Sequence, residues 1–362
     1  MPYRRLIEKA VVRVWPLLAP IAFVVIVTML WSLGAEGLDR KATIMLINLV
    51  FVLGLYSFVG NSGVLSFGHA SFMAIGAYAS GLLTARVQIK HVLLVVPGWL
   101  ENAHWPTIPA TLFAGLVAAV FALIIAVPLM RLSGLAAGIA TLAVLVIVFT
   151  VLSHTDNLTG GLTALNGIPT DTGLFTALVW ALIAMAFAYL YQGSRLGLRL
   201  RASREDELAA KALGISVIRE RTLAFVLSAF FVGVSGSLYA HFLGSITPTL
   251  FYLQITFLTI AMLVVGGINS LAGAVVGTIF ISALQEGLLR LERGPGFIPA
   301  RPGLTEVGLA LVMLAILIFR PRGITASREI VWPFGRWVEA PALAEGAPPV
   351  EPVSEAGTAK PV

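Results

Sequence analysis

RLGLRLRASREDELAAKALGISVIRER, residues 195 to 221, is the one long charged segment in an otherwise apolar sequence. It holds seven of the chain's 24 Lys and Arg residues together with Glu205, Asp206, Glu207 and Glu220. Uncharged stretches press in from both sides, so this segment belongs in water while its neighbours do not. Its centre reads as a short helix, with Ser203 as N-cap, Asp206 three residues on, acids in the first turn and Gly214 as the C′ stop. Such a helix is either an ordinary basic loop between spans or a surface made for docking. The caps, the length and the small residues Ala209, Ala210 and Ala212 favour docking.

Composition bounds the remainder. Of 362 residues, 58% are hydrophobic and 12% charged, against about a quarter charged in a soluble domain. With a mean hydropathy of +0.93, the chain reads as an all-α integral membrane protein lodged in a lipid bilayer. The net charge of +6 does not point to nucleic acid, because the basic residues are spread along loop edges and form no stripe with aromatics. The absence of cysteine excludes disulfides, thiolate metal sites and thiol catalysis.

Residues 1–14 place Arg4, Arg5, Lys9 and Arg13 against apolar residues at helical spacing, a basic amphipathic segment expected to lie on the membrane surface. A transmembrane core then runs over residues 15–320. Trp15 to Leu33 is a first span, too long for a signal-peptide core. Ala42 to Ala85 carries no charge and suffices for about two crossings at roughly 20 residues each, with the glycine-rich knot GNSGVLSFGHAS (Gly60 to Ser71) in its middle. Between Arg86 and Trp105 lies a mixed loop whose apolar core, Val92 to Val96, is too short to span. Further spans are expected at Thr107 to Met130, Gly134 to Leu152, Gly173 to Gln192, Leu223 to Phe242, Phe251 to Val265, Leu271 to Leu289 and Leu304 to Phe319. That makes about ten in all. Residues 321–362 are expected to form a cytoplasmic tail, disordered where Pro, Ala and Glu dominate beyond Glu339.

Charge orients the chain. With both termini inside, the inner segments hold 17 of the 24 Lys and Arg residues, and the outer loops, with Arg290, Arg293 and Arg301 among them, hold seven. Ser153 to Thr172, rich in Gly, Asn and Thr and free of Lys and Arg, falls outside; the capped helix falls in the cytoplasm. No lysine follows a glycine, so the chain carries no phosphate loop for ATP. No metal-ligand or catalytic cluster stands out, and Glu286 and Glu306 lie near span ends, where an ion-coupled carrier would want carboxylates at mid-depth. No cofactor is expected.

Four runs carry a family resemblance: Gly60 to Leu83, TGGLTALNGIP at Thr159 to Pro169, Arg201 to Pro248, and AMLVVGGINSLAGAVVGTIFISALQEGLL at Ala261 to Leu289. Together they resemble the permease family of branched-chain amino acid ABC importers, and more narrowly the larger of its two permease subunits. The resemblance implies a multi-pass protein of a bacterial-type inner membrane, partnered by a second homologous permease, two cytoplasmic ATPase subunits and an extracytoplasmic binding protein. It also implies that the capped helix is the coupling helix, carried by Arg204, Glu205, Glu207, Ala209, Ala210 and Gly214. One departure stands: the general importer pattern E-A-A-x-x-x-G wants Glu where this chain has Leu208, with Glu207 one residue early.

Candidate pathway residues are Asn61, Ser66 and His69 in the knot and Thr159 and Gly161 in the outer loop. Each has a plainer reading: His69 as a histidine satisfied inside the bundle, the outer loop as a polar linker. Gly68 and Gly76, and the G-x-x-x-G pair Gly273 and Gly277, read chiefly as helix-packing positions. An echo between Asn61-Ser62 and Asn269-Ser270 hints at duplicated halves. The expected function is passage of a small polar solute, most simply a branched-chain amino acid, without catalysis by this chain. A urea or amide permease of the same family is the alternative within it; an ion-coupled carrier using Glu286 is the alternative outside it.

Overall fold

The computed structural model describes residues 2–32, 37–88, 90, 97–293, 303–326 and 328–329. Its helices of six residues or more among those described, in chain order, are α1 (Pro2–Ser32), α2 (Leu38–Ser62), α3 (His69–Thr84), α4 (Thr107–Leu129), α5 (Gly134–His154), α6 (Leu174–Gly193), α7 (Arg195–Glu205), α8 (Glu207–Ala212), α9 (Val217–Leu243), α10 (Leu253–Gly266), α11 (Leu271–Glu292) and α12 (Leu304–Phe319). Among the described residues, eight helical segments are long and apolar enough to cross a membrane, and α12 is a shorter apolar helix. The basic N-terminal segment continues without a break into the first span; its side chains lie outside the described residues. So do Val92 to Val96, Arg301 and the tail beyond residue 329.

An all-helical answer follows from the solvent. Lipid offers no hydrogen bonds, so each crossing segment satisfies its own backbone. The chain is apolar enough that several helices keep a lipid-type face: Leu116, Val120, Leu123, Ile124 and Val127 on α4 are all exposed. By contrast, α2 is apolar all round and 94% of its most apolar stretch is buried, the mark of a helix enclosed by others. It packs against α6, α9, α10 and α11, while α9 packs in turn against α3 and α4.

Two kinds of contact lock this bundle. The first is close backbone approach at glycine. A Cβ on Gly76 would stand 2.1 Å from the Gly233 carbonyl oxygen, and one on Gly236 would stand 1.9 Å from that of Met73, so α3 and α9 touch backbone to backbone. Likewise Gly277 faces the Met262 carbonyl at 1.9 Å and Gly273 faces that of Gly267 at 2.4 Å, joining α11 to α10. Gly68 lies 2.5 Å from the Thr141 carbonyl by the same measure. The second is a series of polar pins along α9: Ser228 to His69 at 2.9 Å, Ser235 to the Ile47 carbonyl at 3.0 Å, Ser237 to Thr111 at 2.8 Å and His241 to Thr84 at 3.1 Å. Such bonds contribute about 0.6 kcal/mol each on average in lipid, so the glycine seams and surrounding packing carry more of the association.

The seam predicts its own mutants. Gly236→Val drives a side chain into the Met73 carbonyl and should lower stability by at least about 1–3 kcal/mol, read as loss of monodisperse protein and a lower melting temperature in detergent. Gly287→Ala, where no atom lies within 4 Å of the added Cβ, should leave both unchanged.

Candidate functional site: the charged helix pair and the turns beneath it

Residues 195–221 form two helices. Ser194 caps α7, accepting from Gly197 N at 3.2 Å. The helix then runs through Ser203, which is buried and donates to the Leu200 carbonyl at 2.7 Å. Asp206, in extended conformation, breaks the pair and caps α8 by accepting from Leu208 N at 2.8 Å and Ala209 N at 2.9 Å. The expected cap at Ser203 is therefore displaced to Asp206, whose carboxylate satisfies two free donors where a hydroxyl typically serves one. At the other end Gly214, with φ +78°, follows the helix. Ile215 N bonds the Ala210 carbonyl and Gly214 N the Lys211 carbonyl, both at 3.0 Å, which is the Schellman arrangement.

The six residues expected to form the docking surface divide by direction. Glu205, Ala209 and Gly214 are exposed, Arg204 and Glu207 are half-buried, and Ala210 is buried. Arg204 turns inward, donating to the Gly60 carbonyl at 2.8 Å and to Asn269 Oδ1 at 2.9 Å. Room for it exists because Gly63 has no side chain: a Cβ there would lie 2.8 Å from the Arg204 Cγ. One turn earlier Arg201 donates to Asn61 Oδ1 at 2.7 Å, Gln192 Oε1 at 3.1 Å and Tyr56 Oη at 3.2 Å. Tyr56 itself donates to Gln192 at 2.6 Å. The two Asn-Ser pairs that echo one another in sequence are thus gripped by two arginines of one helix.

Glu207 is a tether. It pairs with Lys211 at 2.8 Å and with the buried guanidinium of Arg221 at 3.0 Å, fixing α8 to the base of α9. Its carboxyl is held below the ordinary range, first by the Lys211 hydrogen bond, against partial burial, and then by the Arg221 charge. What remains facing outward includes two large apolar side chains that the sequence reading passed over: Leu208, 79% exposed, and Leu213, 80% exposed. Their signal was present as two leucines inside a charged segment, five residues apart, flanked by Ala209 and Ala212.

The other candidates sit inside the protein. Asn61, Ser66 and His69 are at most 1% exposed. The His69 ring bonds Ser66 at 2.7 Å and Ser228 at 2.9 Å and lies among Phe58, Phe72 and Phe225. Both ring nitrogens are engaged with hydroxyls, which a neutral imidazole satisfies as one donor and one acceptor. Thr159 bonds the Leu152 and Thr155 carbonyls, and Gly161 adopts φ +59°. Glu286 pairs with Lys41 and with Arg290 near the end of α11.

Comparison with known proteins matches residues 37–319 to the family described as branched-chain amino acid transport system, permease component. The chain belongs to that permease family. It is similar to the high-affinity branched-chain amino acid transport system permease protein LivM of Escherichia coli, at 26% identity over 324 residues that cover 80% of this chain and 70% of the relative. LivH of the same organism is 26% identical over 303 residues, covering 78% of this chain and 92% of its own. A probable LivH of Methanocaldococcus jannaschii is 31% identical over 150 residues, 41% of this chain and 46% of that one. No solved structure matches. The permease is a multi-pass membrane protein.

At its opposite end the permease joins Leu165–Asn166 to Ser245–Ile246 as a two-residue antiparallel pair. Beside this pair opens a cleft of about 460 Å³, lined by Arg86, His104 and the backbone around Gly167 and Gly244.

Glu207 provides the pH prediction for the permease. A carboxyl depressed in the folded state contributes stability that is fully present above the unfolded value of about 4.3 and is lost as pH falls through the lower folded value. Protection of the α8 backbone against exchange should therefore fall as pH drops below about 4.3, and Glu207→Gln should remove that acid transition.

Proposed function

We propose that this permease is one half of the pore of an ABC importer and passes branched-chain or related amino acids delivered by an extracytoplasmic binding protein. The basic segment 1–14, α7, α8 and the residues after α12 face the cytoplasm in this reading, consistent with the excess of Lys and Arg there. A second permease completes the pore, and separate ATPase subunits drive it. ATP hydrolysis belongs to those partners; this chain moves with them.

One observation carries the reading. On and just past a short helix capped at both ends, in the basic segment, Leu208 and Leu213 stand 79% and 80% exposed beside Ala209 and Ala212. Large apolar groups left exposed on a capped, otherwise charged element support a surface that a partner covers. The substrate class comes from the relatives' printed functions and from the family match.

Co-purification from mildly solubilised membranes tests it. The wild-type chain should bring down nucleotide-binding subunits and a second permease. Leu208→Asp with Leu213→Asp should weaken ATPase association roughly ten-fold or more while leaving insertion and the permease pair intact. A chain that purifies alone, or an unaffected double variant, would overturn the docking assignment. Uptake of labelled leucine against labelled urea by the reconstituted complex decides the solute.

A further inference from the structure

Beyond α12 the chain turns back on itself. Residues 321–326 form successive turns, and they lie on the Gly267 to Ser270 turn that joins α10 to α11. Ile324 N donates to the Val265 carbonyl at 2.8 Å, and Thr325 N donates to that of Gly266 at 3.1 Å. The Thr325 hydroxyl donates to the same Gly266 carbonyl at 2.9 Å, so the Ser270 hydroxyl, 3.1 Å away, donates to Thr325. Gly323 sits so close that a Cβ on it would stand 2.6 Å from Gly267 N. Glu329 completes the contact: its carboxylate accepts from Leu271 N at 2.8 Å and Ala272 N at 3.2 Å, at the start of α11.

This turn needs support. It is built on Gly266 and Gly267, the latter at φ +125°, and consecutive glycines leave a backbone joint soft. From the side of the charged helices, Arg204 rests on the same turn through Asn269. A soft joint would absorb a push from Arg204; a braced one hands it to α10 and α11.

We infer that residues 320–326, together with Glu329, are a clasp that holds the 267–270 turn rigid, so that displacement of the charged helix pair reaches α10 and α11 through Arg204 and Asn269. Glu329 and Thr325 are its positioning residues. The clasp rests on the importer reading for its purpose, and on the contacts above for its existence.

Two measurements test it. In proteoliposomes holding the full complex, Glu329→Ala and Gly323→Val should lower solute delivered per ATP hydrolysed several-fold, with complex assembly and ATP hydrolysis retained, and Glu329→Asp should recover most of the ratio. An unchanged ratio in both variants would overturn the clasp. Because the chain has no cysteine, Ser270→Cys with Thr325→Cys can be cross-linked by copper phenanthroline in membranes that contain no partner subunit. The expected result is efficient cross-linking, and in the complex carrying Glu329→Ala the disulfide should restore the ratio until it is reduced. Failure to cross-link, or transport blocked by the disulfide, would overturn the clasp. Failure of the wild-type chain to assemble with ATPases would overturn the importer reading alone.

Discussion

The carbonyl of Gly60 lies in the last turn of α2, a helix whose most apolar stretch is 94% buried, and the Arg204 guanidinium donates to it. A helix that stops inside a bundle leaves acceptors that neither lipid nor a neighbouring helix backbone can meet. Here the break between α2 and α3 is closed by side chains: Ser62 caps Val64 N, Thr141 receives Phe67 N, and Arg201 and Arg204 take Asn61 and Gly60. The charged loop is therefore part of the bundle's hydrogen-bond accounting. Moving it means breaking or carrying with it the end of α2.

That constraint gives α7 and α8 two faces. Inward, arginines hold the two helix breaks at Gly60 to Gly68 and Gly267 to Ser270. Outward, apolar side chains wait on a helix with no core of its own to bury them. Charge-assisted bonds to carbonyl and amide oxygens are stronger than neutral ones, and the seams of Gly76 with Gly233 and of Gly266 with Gly277 leave the helices little slack.

At the far end and in the middle the chemistry is quieter. His69 and His241 are buried and bonded to hydroxyls and a carbonyl, and the paired Glu286 sits near the end of its helix beside Lys41 and Arg290. Among the described residues the ion pairs lie near helix ends.

Run lengths were enough to place most of the apolar helices, though eight described helices rather than about ten reach spanning length, and also the helix stop at Gly214 and the break at Gly60 to Gly68, because each depends on neighbours within a few residues: hydropathy over a span, or the freedom of glycine at a turn. Direction was different. Whether Arg204 points at a partner or at Gly60 depends on Asn269, 65 residues away, and on the missing side chain of Gly63. The cap moved from Ser203 to Asp206 because Leu200 and the packing of α7 claimed the serine. Residues 321–362 read as a cytoplasmic tail, yet Ile324, Thr325 and Glu329 fold onto a turn far upstream, where the N–H groups of Leu271 and Ala272, 58 and 57 residues from Glu329, meet its carboxylate. Local patterns decided which segments are helices; only the tertiary structure decided which face of each helix is spent on the protein and which is left for something else.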